Sequence, residues 1–259
     1  MNASPKYRLI TRSDFDGLVC AVLLKELDMI DDILFVHPKD MQDGKIEITE
    51  RDITTNLPYV PGAHLAFDHH ASETLRNPGE RSNHVIDAAA PSAARVVYEH
   101  FGGAQTFPNV DPQMMRAVDQ ADSAQYSRED ILEPQGWTLL NYLMDARTGL
   151  GRFRNFRISN YTLMMQLIDY CRDHGIHDIL GLPDVKERVE IYLEHADKAR
   201  EQIQRCSTQH GNLVVLDLRG EETLWATNRF MIYALFPTAN ISIHVMWGLK
   251  QQNTVLATG

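Results

Sequence analysis

The sequence predicts an α/β protein: a parallel-sheet domain with flanking helices, then a long linker helix and a smaller, incomplete α/β domain at the C-terminal end. Three observations lead there. Within about thirty residues a strand-like run, an apolar helix and a second strand-like run follow one another, the βαβ order that implies parallel strands. A long, heavily charged segment after Pro183 bears one narrow apolar stripe. Beyond Gly211 the texture changes to strand, helix, strand and strand.

Tyr7-Arg8-Leu9-Ile10-Thr11 reads as the first strand. Gly17 opens Leu18–Leu27, which is apolar on most sides and reads as a buried helix. Ile33–Val36, closed by Pro38, is the second strand, and Ile46–Ile48 and Leu65–Phe67 add a third and fourth. Pro91 ahead and Gly102-Gly103 behind bound a helix over Ser92–His100. Pro112–Ala121 and Asn160–His174, the latter stopped by Gly175, are two more. At Pro183-Asp184-Val185-Lys186-Glu187, Asp184 is placed as a helix cap with Glu187 three residues on. Val185, Val189, Tyr192, Ala196, Ala199 and Ile203 then form the stripe of the linker. A strand over 212–218, a helix over 226–235 and strands over 240–247 and 254–257 complete the reading. The chain thus divides into residues 1–183, a linker helix 184–210 and a domain 211–259.

With 44% hydrophobic residues among 259, the chain can build a substantial core. Its formal net charge of −10 argues against a broad basic surface that would track a long nucleic acid, but leaves room for a small phosphorylated substrate. Cys20, Cys171 and Cys206 are odd in number and lack paired spacing, as expected of reduced thiols in a cytoplasmic protein. No window is long and apolar enough for a membrane span, and the first residues lack the apolar stretch of a signal peptide.

Three acidic clusters follow strand-like runs. Asp14-Phe15-Asp16-Gly17 follows the first strand, Asp52 follows Ile46–Ile48, and Asp68-His69-His70 follows Leu65–Phe67. Ligands of open parallel sheets lie beyond the carboxyl ends of the strands. Carboxylates and imidazoles delivered to one such edge suit a divalent cation of the Mn²⁺ type better than an all-oxygen Mg²⁺ site or a thiolate zinc site. The plainer alternatives are a helix cap, which explains one of Asp14 and Asp16 but not both, and a solvated loop bearing ordinary surface histidines. Asp52 alone could be a charged strand end, and Asp119 and Asp122 could be water-facing ends of a helix. His64, His84, His174 and His177 have no partner pattern and read as structural. Arg76, Arg81 and Arg95 could meet a phosphate, although solvated surface explains each one as well. Arg219, Asn228 and Arg229 in the last domain offer contacts to something small.

The ordered set Asp14-x-Asp16-Gly17, Asp52, Asp68-His69-His70 and a later Asp resembles the DHH phosphoesterase superfamily. Overall the chain is similar to bacterial proteins described as exopolyphosphatase-related. The resemblance implies two Mn²⁺ ions, with Mg²⁺ as the alternative: Asp14 on one, Asp16 on the other, Asp52 bridging and His69 a ligand. His70 would contact the phosphate while Asp68 orients the histidine pair. The family's fourth motif is an Asp after a helix followed by a small residue, which Asp122-Ser123 fits better than Asp119-Gln120. Two departures stand out. The position four residues before Asp14, a metal-binding His in many members, is Ile10. The family's Gly-Gly-Gly-His substrate loop does not occur before Gly259, hence the expectation of an incomplete C-terminal domain.

The resulting expectation is a cytoplasmic metal-dependent phosphoesterase acting on a short nucleotide or short polyphosphate. Its rival is a DHH-fold module that binds a nucleotide or partner without efficient catalysis.

Overall fold

The computed structural model describes residues 6–77, 79–153 and 155–259. They form two compact units: residues up to Gln125 together with Ile158–Gly181, and Tyr126–Arg157 together with Leu182–Gly259.

The first unit is built on β1 (Tyr7–Thr11), β2 (Ile30–Phe35), β3 (Asp52–Thr55), β4 (Leu65–Asp68) and β5 (His84–Ile86), in the order β2-β1-β3-β4-β5 and with every pair parallel. This order reverses direction between β1 and β3, and at such a switch point the two neighbouring crossovers run to opposite faces and leave a crevice. α1 (Phe15–Glu26) is buried over ten consecutive residues, Phe15–Leu24, so it has no polar face to give to water. It packs on β2 and beside three later helices, Ala93–His100, Pro112–Asp122 and Asn160–Asp173, as the all-round apolar sequence requires. Gly17 is obligatory at its start: a Cβ there would stand 2.1 Å from the Arg12 carbonyl oxygen and 2.7 Å from Thr11 Oγ1.

Ile46–Ile48 is not a strand. Ile46 and Ile48 lie over the apolar cluster of Ile10, Met41 and Leu57, and the third strand begins only at Asp52. The β-branched run Ile53-Thr54-Thr55 supplies the better strand, buried throughout. Asp52 therefore opens β3 instead of closing a strand.

The second unit holds β6 (Ser207–His210), β7 (Leu213–Asp217), β8 (Ile241–Trp247) and β9 (Thr254–Thr258), in sequential order. Its outer pairs are antiparallel and its central pair, β7 with β8, is parallel. The long helix runs from Pro183 to Cys206 with Leu182 at its cap and Pro183 in its first turn, so Asp184 lies inside the helix. Residues 207–210 leave it to form β6. The helix expected over 226–235 is confined to Met231–Leu235, because the preceding residues spend their polar groups elsewhere: Thr227 N–H donates to Thr148 O, and Asn228 Nδ2 to Ile131 O and Tyr192 Oη.

Those same bonds redraw the expected domain division. Ile131 and Thr148 tie residues 126–157 to the second unit, and Ile203 of the long helix joins its core with Val214, Leu216, Met231, Ile232 and Ala239. The long helix is thus part of the second unit, not a separate linker over 184–210. Cys20, Cys171 and Cys206 are all free, and burial pushes the thiols of Cys20 and Cys171 up. Among the described residues no helix is long and apolar enough to cross a membrane.

Candidate active site

Parallel pairing brings the exits of β1, β3 and β4 to one edge of the first unit's sheet, and this edge collects the polar residues. Asp14 follows β1 and caps α1, accepting the Gly17 N–H at 3.0 Å. Asp16, two residues on in the first turn of α1, is 2% exposed and accepts the N–H groups of Ala93 (3.0 Å) and Ala94 (2.7 Å) at the start of the Ala93–His100 helix. The cap reading therefore holds for Asp14 on its own helix, while Asp16 serves the N-terminus of another, where the helix dipole favours an anion.

Asp68 is the last residue of β4 and is buried. Its Oδ1 accepts the His69 N–H at 2.9 Å and lies 2.7 Å from His70 Nδ1, which fixes the imidazole of His70 while leaving that side chain 41% exposed. His69 turns inward: its Nδ1 is 3.2 Å from the Ala90 carbonyl and its Nε2 is 2.7 Å from Asp122 Oδ2. The Ala90 carbonyl can only accept, so Nδ1 carries a hydrogen and Nε2 is the nitrogen available to a ligand.

Among the described residues, two groups place ligand atoms within 4.8 Å of one another: Asp16, His69 and Asp122, and Asp68, His69 and His70. The first has the composition of a metal site. Burial first, then the charges of Asp122 and Asp14, push the Asp16 carboxyl well above the usual range. Burial pulls His69 down, but its contacts with Asp122 and Asp16 outweigh that and raise it to about 9. In this structure His69 Nε2 is ion-paired with Asp122 Oδ2, the contact that a cation between them would replace. Asp68 Oδ2 and Asn56 Oδ1 are buried and unpartnered. Two mutually repelling carboxylates that converge on one imidazole fit a cation held by Asp16, His69 and Asp122. Of the two carboxylates weighed for the fourth motif, Asp122 reaches this group. Asp119 instead binds Ser92 Oγ at 2.8 Å and Arg95 Nη2 at 2.5 Å.

Asp52 is not in the site. It begins β3 at the opposite edge, where Arg8 holds it from β1, so it cannot bridge ions at the strand exits. The residue that closes β3 is Asn56, 1% exposed, with a left-handed backbone (φ 55°) and its Nδ2 3.3 Å from Asp14 Oδ1. Sequence reasoning missed it, although a β-branched run followed by Asn56-Leu57-Pro58 is a strand-exit signal. Arg95 is occupied by Asp119 and Glu99 and is not free for a phosphate. Arg76 is bound by Glu73, and Arg81 lies over the Tyr59 ring.

The second unit has its own cavity of about 450 Å³, lined among others by Arg147, Trp225, Asn228, Arg229 and Phe230. Arg229 stacks over Phe230 at 4.3 Å. Asn228 is buried and tied to the fold, whereas Arg219 lies away from this cavity, paired with Asp217.

No protein-family profile matches the chain, and no curated protein matches it. Among solved structures, the chain is similar to a pGpG-specific phosphodiesterase, PggH, from Vibrio cholerae. The two share 64% sequence identity over 98% of this chain and 82% of that one, with a TM-score of 0.88. An uncharacterized protein from Helicobacter pylori G27 aligns over 93% of this chain and 82% of that one, at 12% identity and a TM-score of 0.35, too distant to bear on fold or function.

Proposed function

Since the chain belongs to the DHH phosphoesterase superfamily and is a hydrolase of phosphoester bonds, we propose that it is a divalent-metal-dependent phosphodiesterase whose substrate is pGpG, two guanylates joined by one phosphodiester. The convergence of Asp16, His69 and Asp122, two carboxylates and an imidazole with their ligand atoms within 4.8 Å of one another, carries the metal-dependent part. The likeness to PggH supports the substrate. The likeness to a phosphodiesterase at 64% identity weighs against the non-catalytic alternative.

Mixed carboxylate and imidazole donors favour Mn²⁺, with Mg²⁺ the second choice. When bound, the ion supplies Lewis acidity and a water of lowered pKa. The chain's own groups do the rest. Asp68 holds His70 through Nδ1, which aims Nε2 outward to meet phosphate charge or to hand a proton to the leaving oxygen. The Ala90 carbonyl keeps His69 in the tautomer whose Nε2 is a ligand. In the second unit the cavity lined by Trp225, Arg229 and Phe230 offers apolar and guanidinium contacts to a nucleobase with its phosphate. The net charge of −10 disfavours long polyanions.

Turnover in Mn²⁺ of pGpG, pApA, pyrophosphate, short polyphosphate and a long single strand tests this reading. We expect pGpG to be cleaved fastest, to two GMP, with shallow salt dependence. Fastest hydrolysis of the long strand, with steep salt dependence, would replace it with an exonuclease. Preference for pyrophosphate or polyphosphate would replace it with an anhydride hydrolase.

A further inference from the structure

We propose that this chain holds a single divalent ion, at Asp16, His69 and Asp122, and that the Arg12 guanidinium takes the place of a second ion as the other positive charge at the substrate phosphate. The proposal rests on the phosphoesterase reading and departs from the two-ion arrangement that the sequence motifs suggest.

Three residues at the β1 and β3 exits argue against a second ion. Ile10, at the position where an imidazole would be needed, is fully buried on β1 and packs with Met41 and Leu57, so this position supplies no ligand. Asp14 is already engaged on three sides. It caps α1 through Gly17, faces Arg12 Nε at 3.0 Å and receives Asn56 Nδ2 at 3.3 Å. A cation binding there would have to displace a guanidinium from its carboxylate. Finally, β3 ends in the neutral amide of Asn56, and its one carboxylate, Asp52, lies at the far end of the strand. Around Asp14, then, one carboxylate is matched by one arginine. Around Asp16, two carboxylates and one imidazole converge, and of the Asp14 and Asp16 clusters the second is the one with charge left for an ion.

Arg12 has the chemistry for the vacant role. A guanidinium stays charged at any working pH and offers planar, paired donors to phosphate oxygens. Its contact with Asp14 runs through Nε, and its side chain is 33% exposed at the switch point of the sheet. Asp14 becomes a tether that holds the arginine in place, not a ligand. The neutral Asn56 fits the same scheme, since a carboxylate there would compete with phosphate for the guanidinium.

Metal stoichiometry and oxyanion binding test this without relying on turnover. Metal-free protein is titrated with Mn²⁺ and followed by native mass spectrometry and electron paramagnetic resonance. The wild type should take up one ion per chain, with the signal of an isolated Mn²⁺. The double variant Arg12→Ala/Asn56→Asp should take up two, and Asp tolerates the left-handed backbone at position 56. Orthovanadate, used as the phosphate probe on the Mn²⁺-loaded protein, should bind Arg12→Ala about tenfold or more weaker than wild type, with partial recovery in Arg12→Lys. Arg12 is partly exposed, so this single variant keeps the test valid if the double variant does not fold. Two ions in the wild type, none at all, a folded double variant that still takes one, or vanadate binding indifferent to Arg12 would each overturn the proposal. One ion with Arg12-dependent vanadate binding but no cleavage of pGpG would leave it standing and remove the substrate reading. Two ions with rapid pGpG cleavage would do the reverse.

Discussion

Arg8 and Asp52 pair across the leading edge of β1 and β3, Nε reaching Oδ1 at 2.7 Å and Nη2 reaching Oδ2 at 3.0 Å. Thr49 adds its backbone N–H and its hydroxyl to Oδ2, at 2.7 and 3.0 Å. The strand register sets the two residues opposite each other where these parallel strands begin. Asp14, Asn56 and Asp68 lie where strands end. A carboxylate with four donors, on the far edge of the sheet, ties β3 to β1 and stands away from the strand-exit residues.

Asp52→Asn should therefore leave Mn²⁺ affinity unchanged and lower stability by about 1–3 kcal/mol, the range for weakening a buried, charge-assisted pair. Burial pushes the Asp52 carboxyl up, but Arg8 and Thr49 outweigh it and leave it below the ordinary value of 3.8. A depressed carboxyl contributes stability above its unfolded pKa and loses it as pH falls through the folded one. The gap between wild type and variant should accordingly be full at neutral pH and close as the solution is taken below pH 3.8. Denaturant unfolding at a series of pH values checks the gap, and calorimetry checks the metal. A variant that loses Mn²⁺ would return Asp52 to the site.

Asp119 and Asp122 stand one helical turn apart and should separate cleanly. Asp122→Asn removes a carboxylate from the group with Asp16 and His69 and should abolish measurable Mn²⁺ binding. Asp119→Asn loosens the brace to Ser92 and Arg95 and should keep the metal, at a stability cost of about 1 kcal/mol. Equal metal loss in both would mean that the helix end moves as a unit.

How far the sequence revealed this arrangement depended on how local each signal was. The β1–α1–β2 unit was legible because Gly17 and the apolar run after it admit one placement. Asp68-His69-His70 was legible because it ends a short, wholly apolar strand. Asp52 was misplaced because Ile46-Glu47-Ile48 alternates like a strand. Only tertiary packing shows those isoleucines covering Ile10, Met41 and Leu57 while Ile53-Thr54-Thr55 takes the ladder. The consequence reached the site itself, since a strand shifted downstream ends in Asn56, not a carboxylate. The grouping of residues 126–157 with the second unit was illegible for the same reason: it rests on contacts such as Thr148 to Thr227, far apart in the chain.

Asn228 was read from sequence as a substrate contact, and the structure gives it a different weight from its neighbour. Its amide donates to Ile131 O at 2.9 Å and Tyr192 Oη at 3.0 Å in a fully buried setting. Asn228→Ala should cost about 1–3 kcal/mol in stability, because it leaves a buried carbonyl without its donor. Arg229→Ala, on the cavity wall, should instead raise KM for pGpG with little change in unfolding. Thermal unfolding and steady-state kinetics on both variants distinguish them. Unchanged KM in Arg229→Ala would take that residue out of substrate binding.

The two adjacent histidines point in different directions and should fail differently. His69 faces Asp16 and Asp122 with its side chain 11% exposed, so His69→Ala should lose Mn²⁺ in calorimetry and turnover with it. His70 is anchored through Nδ1 by Asp68 with its side chain 41% exposed, so His70→Ala should keep Mn²⁺ and lose about 10²–10⁴-fold in kcat, the usual span for a positioned acid or base. Asp68→Asn lies between them. It touches both histidines without entering the Asp16 group, and should cost about 10–100-fold in activity, as loss of an orienting partner does. Matched metal loss in His69→Ala and His70→Ala would show that both imidazoles are ligands, and the outward orientation of His70 would then have to change when metal binds.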